Sequence, residues 1–216
     1  MQELADHIWA NTRFHDAAAY VHRTWIAREL RKPLDLEVTT EDAVRLMQAA
    51  AVLACSDNAE HRRQAYRIAT MTYEVIGAEM LPMQQALRVV LSRLGNFPAL
   101  ETRDDVGRAG KDLPLDLVFE ELSLSAEREV HLRERPVLLT GFQHELWTKL
   151  DEGRNLAVGA PTSAGKSFVL QGHLARVFDE DDDRIVIYLV PTRALIAQVS
   201  RDLSDIFAER RPSPRS

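Results

Sequence analysis

The sequence predicts an α/β protein in which an all-helical N-terminal region precedes a domain with parallel strands. The first observation is that apolar residues recur with helical spacing over residues 1–95. The second is that short apolar segments alternate with amphipathic helical segments from residue 137 onward. A strand, a helix and a second, continuously apolar strand make up the βαβ unit from which parallel sheets are built.

Composition sets limits on the class of protein. The 216 residues are 45% hydrophobic and 28% charged, which suits one large or two small globular domains. The net charge of -6 provides no bulk attraction to nucleic acid, so any such contact must be local. The single cysteine, Cys55, excludes a disulfide framework and argues against a cysteine-based zinc site.

The sequence gives no sign of a membrane or secreted protein. No apolar run approaches the roughly 20 residues that span a bilayer. The first residues, MQELADHIWANTRFHD, lack the basic and apolar regions of a signal peptide. We therefore expect no membrane association and a cytoplasmic location.

The N-terminal region, 1–95, is predicted to contain four or five helices. One opens at TTEDAVRL, where a threonine cap precedes two acids. Another has Asp57 and Glu60 spaced as in a capping box and ends at Gly77. A third has Pro82 in its first turn and stops at Gly95. An all-helical domain is the prediction; a helical repeat is a weaker alternative.

Residues 96–136 are predicted to form a connector, because charge, Gly and Pro are frequent there. It includes one short helix around Leu115–Leu124, and residues 128–135 are interpreted as a solvated helix face. Residues 137–209 then form the second domain, and the polar tail 210–216 is predicted to be disordered. The second domain is predicted to contain, in order, helix LTGFQHELWTKLDEG, strand RNLAVGAP, helix GKSFVLQGHLARVFDE, strand DRIVIYLVP and helix TRALIAQVSRDLSDIFAE.

A loop of small residues joins the first of these strands to the following helix. It is typical of a phosphate-binding loop, in which a Gly and any four residues precede Gly-Lys-Ser/Thr, although Ala160 replaces the first Gly. Backbone N–H groups of such a turn converge on a phosphate, with the helix N-terminus behind them. The candidate nucleotide-binding residues are Ala160, Pro161, Thr162, Ser163, Ala164, Gly165, Lys166 and Ser167.

Two residues of this loop carry side-chain chemistry. Lys166 is placed to reach the β- and γ-phosphates and is the candidate catalytic residue, while the Ser167 hydroxyl is the candidate Mg²⁺ ligand. A Gly-Lys-Ser placed by chance at a helix start is the alternative, and its position between a strand and a helix argues against chance. The loop is predicted to bind a nucleoside triphosphate.

Flanking motifs resemble those of superfamily 2 DExD/H-box helicases. APTSAGKS is similar to motif I, VPTRALIAQ to motif Ia, and FQ at 142–143 to a Q-type motif; the loop spelling is closest to the Ski2-like and Hel308-like branches. The resemblance covers residues 137–209. It implies an incomplete RecA-like P-loop domain with parallel strands that binds ATP and Mg²⁺.

The resemblance also implies roles for residues outside the loop. Gln143 would hydrogen-bond the adenine edge, since an amide has both the donor and the acceptor that this needs. Pro191, Thr192 and Arg193 would contact a nucleic-acid phosphate, DNA or RNA. Each has a plainer alternative: Gln143 as a surface residue, and Thr192 as a helix N-cap.

Other candidate sites are interpreted as structural. His7, His15 and His22 have near-helical spacing but no accompanying cysteine or carboxylate cluster, so we expect no metal site there. The acids at 179–183 precede a strand instead of following it, which is the wrong end for a Mg²⁺-binding acid pair. The acids of LVFEEL, 117–122, precede the phosphate-loop strand and lack the Asp-Glu-x-His/Asp form.

The resemblance stops at motif Ia. The acid pair of motif II and the second RecA-like domain, which the family needs for hydrolysis, do not occur in these residues. We therefore expect the 216 residues to be the N-terminal portion of a helicase that does not hydrolyse ATP by itself. The alternatives are another P-loop protein, such as a kinase or a non-helicase ATPase, and a partner-binding helical module with a vestigial nucleotide loop.

Overall fold

The computed structural model describes residues 1–32, 38–132, 135–161, 164–180 and 185–208. These residues form eleven α-helices and one two-stranded sheet. The elements are α1 Gln2–Trp9, α2 Thr12–Glu29, α3 Thr40–Leu53, α4 Ala59–Thr72, α5 Leu81–Arg93, α6 Phe97–Glu101, α7 Asp104–Ala109, α8 Leu115–Arg128, β1 Glu129–Leu132, β2 Arg135–Leu138, α9 Gly141–Asp151, α10 Lys166–Glu180 and α11 Arg193–Ala208.

The chain divides into two compact units. Unit 1 comprises Met1–Glu129 and Leu138–Gly141, and unit 2 comprises Val130–Val137 and Phe142–Ser216. Unit 1 is helical apart from its share of the sheet and contains α1 to α8. None of the helices described is long and apolar enough to cross a membrane.

The helix starts in unit 1 follow the predicted capping chemistry, with one correction. The Thr39 side chain accepts a hydrogen bond from the Asp42 backbone N–H at the start of α3. At α4 the cap is Asn58, which accepts from the Glu60 N–H at 2.9 Å, and not the predicted Asp57. Asn and Asp side chains cap helices equally well, so the sequence could not distinguish Asp57 from Asn58 as the N-cap of α4.

Helices α3, α4 and α5 form the centre of the unit 1 core. The helical spacing of apolar residues buries one face of each helix, and burying a side chain of this size contributes roughly 1.5–3 kcal/mol. The largest fully buried side chains of these three helices are Met47, Leu53, Thr72, Met83, Leu87, Val90 and Leu91.

The predicted connector contains more regular structure than its composition indicated. Besides the predicted helix, which extends to Arg128 as α8, it contains α6, α7 and both strands. Phe97, Leu100 and Val106 belong to the unit 1 core. Short helices such as α6 and α7 are hard to recognise from sequence because their stability comes from tertiary packing.

The interpretation of residues 128–135 as a helix face is wrong. Glu129–Leu132 and Arg135–Leu138 are strands, and their pairing across two residues makes them antiparallel. Along β1 exposed and half-buried residues alternate, with Val130 and Leu132 on the half-buried side. This period of two was present in the sequence but was obscured by the interleaved charges.

Unit 2 has the three predicted helices α9, α10 and α11. The two predicted parallel strands are not formed: residues 154–161 and 185–190 lie outside helices and strands. Ile185, Ile187 and Leu189 are 89%, 78% and 87% exposed. A strand obtains its main-chain hydrogen bonds from neighbouring strands, and no described residue pairs with either segment.

Candidate nucleotide-binding site

The predicted phosphate loop, 160–167, runs into the start of α10. Gly165 is the residue directly before the first residue of this helix. Gly165 has a φ of +76°, a backbone conformation that residues other than glycine avoid. A Cβ atom at this position would also overlap Nε2 of Gln143. The loop therefore requires glycine here, which agrees with the sequence pattern.

Lys166 folds back over the loop. Its Nζ donates hydrogen bonds to the carbonyl oxygens of Ala160 at 2.5 Å and Pro161 at 2.7 Å. Thr162 and Ser163, the other two predicted residues of this turn, lie outside the described residues. The lysine side chain thus brings a positive charge onto the loop, close to the helix N-terminus.

The first turn of α10 faces the same loop. Lys166 and Ser167 are its first two residues, and the Val169 N–H donates to the Gly165 carbonyl at 3.2 Å. The N–H groups of a first turn lack intrahelical acceptors and carry the positive end of the helix dipole. The exposed Ser167 hydroxyl adds an oxygen ligand of the kind that Mg²⁺ prefers. Together these groups suit a phosphate and its metal ion.

Gln143, in the first turn of α9, lies against the phosphate loop. Its Nε2 donates to the Ala164 carbonyl at 3.5 Å, and the side chain is half-buried. The structure therefore brings Gln143 into contact with motif I, at Ala164, which is 21 residues further along the chain. It places the amide on the loop backbone, and contact with an adenine base stays a prediction.

Pro191, Thr192 and Arg193 lie at the start of α11 and are all exposed. The Thr192 Oγ1 accepts from the Leu195 N–H at 3.3 Å, as an N-cap does. The capping alternative is therefore realised for Thr192. It leaves the Arg193 side chain exposed, and a nucleic-acid contact at this helix start stays a prediction.

The acids of 117–122 are part of α8 and hold unit 1 together. Glu121 accepts from Arg88 and Ser92, and Glu120 accepts from Arg93 at 2.7 Å and 2.9 Å. These pairs satisfy both carboxylates within the unit. Of the acids at 179–183, Asp179 and Glu180 end α10, and the rest lie outside the described residues.

The structure also shows a polar cluster in unit 2 that sequence reasoning missed. The Asp151 carboxylate at the end of α9 pairs with Arg176 and, at 3.1 Å, with His173 Nδ1 on α10. The Arg176 guanidinium lies 5.4 Å from the Trp147 ring centre. Asp151 and His173 are 22 residues apart and no recognised motif contains both of them, so only the fold reveals the pairing.

The pKa of His173 is lowered, mainly because burial disfavours its charged form. Asp151 acts in the opposite direction and raises it, while Arg176 lowers it further. The cluster joins α9 to α10, the two helices that carry Gln143 and Lys166. In the described part of the chain, no three His, Cys, Asp or Glu side chains are grouped to hold a metal ion.

Comparison with known proteins supports the helicase interpretation for this part of the chain. Residues 140–213 match the DEAD/DEAH box helicase family. The chain is 39% identical over 59 residues to an uncharacterized helicase of Caenorhabditis elegans. The aligned residues make up 27% of this chain and 3% of that protein. No solved structure matches.

Two further relatives carry RNA helicase names. The human protein named probable ATP-dependent RNA helicase DDX60-like is 27% identical over 84 residues, or 39% of this chain and 5% of that protein. The Arabidopsis thaliana DExH-box ATP-dependent RNA helicase DExH9 is 34% identical over 98 residues, which are 44% of this chain and 10% of that protein. The matched part of the chain thus spans a tenth or less of each relative's length. The predicted similarity to DExD/H-box helicases is confirmed.

Proposed function

We propose that these residues are the N-terminal portion of an ATP-dependent DNA or RNA helicase and that the loop at 160–167 binds ATP with Mg²⁺. The observation that carries the proposal is the positive φ of Gly165 directly before Lys166 and Ser167 at the start of α10. This arrangement places backbone N–H groups, a lysine and a hydroxyl at one helix N-terminus. The match of residues 140–213 to DEAD/DEAH box helicases supports it.

Each group of the loop has a distinct task in this proposal. Lys166 exchanges its hydrogen bonds with the Ala160 and Pro161 carbonyls for contacts with phosphate oxygens. Ser167 ligates Mg²⁺, and the first-turn N–H groups of α10 donate to phosphate. Bound ATP supplies the free energy with which a helicase moves along nucleic acid.

Residues beside the loop determine which nucleotide and which polymer bind. We assign Gln143 to adenine recognition, supported by its place next to the loop. Arg193, exposed at the start of α11, is assigned to a nucleic-acid phosphate together with Pro191 and Thr192. The loop spelling favours a Ski2-like or Hel308-like branch.

The other parts of the chain complete the proposal. Residues 137–209 form the ATP-binding part, and the N-terminal helices, 1–95, offer a surface to a protein partner. The free Cys55 suits a reducing compartment, and we place the protein in the cytoplasm. The 216 residues alone bind ATP without hydrolysing it, because the acid pair that positions Mg²⁺ and the attacking water is not among them.

The test is calorimetric titration of the chain with ATP and Mg²⁺, beside a phosphate-release assay. We expect binding that Lys166→Ala weakens by about tenfold or more, since a charged hydrogen-bonding group contributes about 1.5–3 kcal/mol. The control is Lys149→Ala, which removes a half-buried lysine of α9 whose Nζ pairs with Glu145 of the same helix. Absence of binding, or equal effects of the two variants, would refute the nucleotide site.

A second titration separates a helicase from another kind of P-loop protein. With Gln143→Ala we expect a loss of ATP affinity that GTP does not share, because the amide pairs with the adenine edge. Gln143 also touches the loop at Ala164, so a loss common to both nucleotides would assign it to loop positioning only. That result would remove the support that the Q-type motif gives to the helicase proposal.

A further inference from the structure

A cavity of about 330 Å³ opens in unit 1 between α1, α2 and α4. It lies far along the sequence from the phosphate loop and belongs to the other compact unit. Its volume is at the lower end of the roughly 300–1,000 Å³ of small-ligand sites. Its floor is apolar and its rim is polar, which makes it suited to a ligand with both kinds of surface.

The apolar part of the cavity is aromatic. Trp9 and Phe14 line it, with ring centres 6.5 Å apart, and the His15 ring stands edge-on to Trp9 at 5.0 Å. Ile68 and Met71 of α4 complete the floor. Flat aromatic groups, nucleobases among them, stack favourably on such side chains.

The rim of the cavity carries one arginine. Arg67 is exposed, and its Nη2 contacts the His22 ring at 2.6 Å. Burial, and secondly the charge of Arg67, lower the pKa of His22. A ring nitrogen of His22 is placed to accept from Arg67, whose guanidinium keeps its positive charge. A guanidinium with five N–H donors is well suited to a phosphate.

The same face of α4 that carries Arg67 also offers a donor and an acceptor to the cavity. Gln64 Nε2 donates to Glu60 Oε1 at 3.0 Å, and both residues line the cavity. The Glu60 carboxylate is also paired with Arg63 on the same helix, which compensates its charge. An amide and a carboxylate side by side match the mixed donor and acceptor edge of a base.

We propose that this cavity binds a nucleoside monophosphate group, with its base on the aromatic floor and its phosphate at Arg67. A purely apolar ligand would desolvate Arg67 and His22 without compensation, and an inorganic anion would leave the floor unused. The group is either a free nucleotide or one nucleotide of a single strand. The site is independent of the phosphate loop, so the failure of either proposal leaves the other standing.

The test uses the full chain carrying Lys166→Ala, so that the phosphate loop contributes little. Adenosine monophosphate and a short single-stranded oligoadenylate are titrated separately, with tryptophan fluorescence and the histidine ring signals in NMR spectra as readouts. Arg67→Glu is compared with Arg23→Glu, the same charge reversal at an exposed residue of α2 outside the cavity. Ala19→Phe, at an exposed residue of the cavity mouth, blocks entry without altering charge.

We expect Arg67→Glu and Ala19→Phe each to weaken binding by about tenfold or more, and Arg23→Glu to change it less than about threefold. Binding of adenosine monophosphate identifies a free nucleotide as sufficient, and binding of the oligoadenylate alone identifies a strand. Far-ultraviolet circular dichroism verifies that the variants fold. No binding of either probe, or binding that both cavity variants leave intact, overturns the proposal.

Discussion

At the scale of single residues, two glycine positions of the candidate site differ in whether they tolerate a side chain. Gly165 has a positive φ, and a Cβ atom there would have to displace the Gln143 amide, whereas Gly159 has open space around it. We expect Gly165→Ala to destabilise unit 2 by about 1–2 kcal/mol, the cost of a left-handed backbone at a non-glycine residue. The same substitution at Gly159 is expected to change stability by less than about 0.5 kcal/mol.

Urea unfolding followed by tryptophan fluorescence measures both variants, and ATP titration shows whether the loop retains its shape. We expect Gly165→Ala to lose ATP affinity and Gly159→Ala to keep it. Equal stabilities for the two variants would contradict the requirement for glycine at position 165. The sequence pattern requires a glycine at position 165, and the backbone there has the positive φ that favours glycine; nucleotide binding by this residue stays a prediction.

His173 gives a residue-scale prediction about pH. Burial lowers its folded-state pKa below the ordinary 6.5, so the unfolded chain binds more protons near that pH. The contribution to stability is therefore complete above pH 6.5 and is lost as the pH falls through the unfolded and then the folded pKa. Asp151 and Glu180 oppose the shift, and Arg176 adds to it.

We expect His173→Gln to flatten the pH dependence of unit 2 stability below pH 6.5. Hydrogen exchange of the amides of α10, measured across that range, reports the local stability. His144→Gln, on α9 and outside the Asp151 cluster, is the matched control. The expectation fails if the two variants lose stability with falling pH to the same extent.

At the scale of elements, two ion pairs join α8 to α5. Arg88 pairs with Glu121 and Arg93 pairs with Glu120, and the side chains of Arg88 and Glu121 are 17% and 19% exposed. The outer face of α8 carries Leu115, Phe119 and Leu122, which are largely exposed. Because this apolar face points away from the core, α8 is fixed by the ion pairs together with the half-buried Leu124, which packs against the core.

Removing one partner of such a pair leaves the other charge partly buried. We expect Glu121→Ala to lower the free energy of unfolding by about 2 kcal/mol, less than a fully buried pair because the groups keep some solvent. Glu127→Ala, at an exposed residue of the same helix, is expected to cost under about 0.5 kcal/mol. Thermal unfolding distinguishes them, and comparable losses would mean that α8 is held by other contacts.

Elements whose signals are local could be predicted from the sequence, and elements that depend on distant partners could not. The start of α3 at Thr39 and the proline in the first turn of α5 are set by neighbouring residues. The helices α6 and α7 depend on packing that no short window contains, while the local pattern of the β1–β2 hairpin was obscured by its interleaved charges. The same holds for Ile185 to Val190, whose apolar run predicts a strand but does not supply a neighbouring one.

The candidate site divides in the same way. The loop from Ala160 to Ser167 was recognisable because its chemistry is contiguous in sequence. The contact of Gln143 with Ala164 had support only from a motif, and the Asp151–His173 pair had no support at all. Contacts between α9 and α10 arise from helix packing, for which spacing along the chain is no guide.

At the scale of the whole molecule, the two units differ in how much apolar surface they bury. Unit 1 has a core contributed by α1 to α7, whereas the buried residues in the described part of unit 2 are Leu146, Trp147, Val169 and Ala175. A smaller core gives a smaller free energy of unfolding. We therefore expect two thermal transitions, with unit 2 unfolding first.

A nucleotide bound at the phosphate loop stabilises only the unit that contains it. Binding at 100 times the dissociation constant adds about 2.7 kcal/mol to the folded state, so ATP with Mg²⁺ should raise the lower transition by several degrees. Lys166→Ala should abolish that increase, and Lys149→Ala should preserve it. Calorimetry measures the transitions, and hydrogen exchange assigns the lower one to α9 and α10. A lower transition that does not respond to ATP would show that the loop, although shaped for phosphate, does not hold it in this chain.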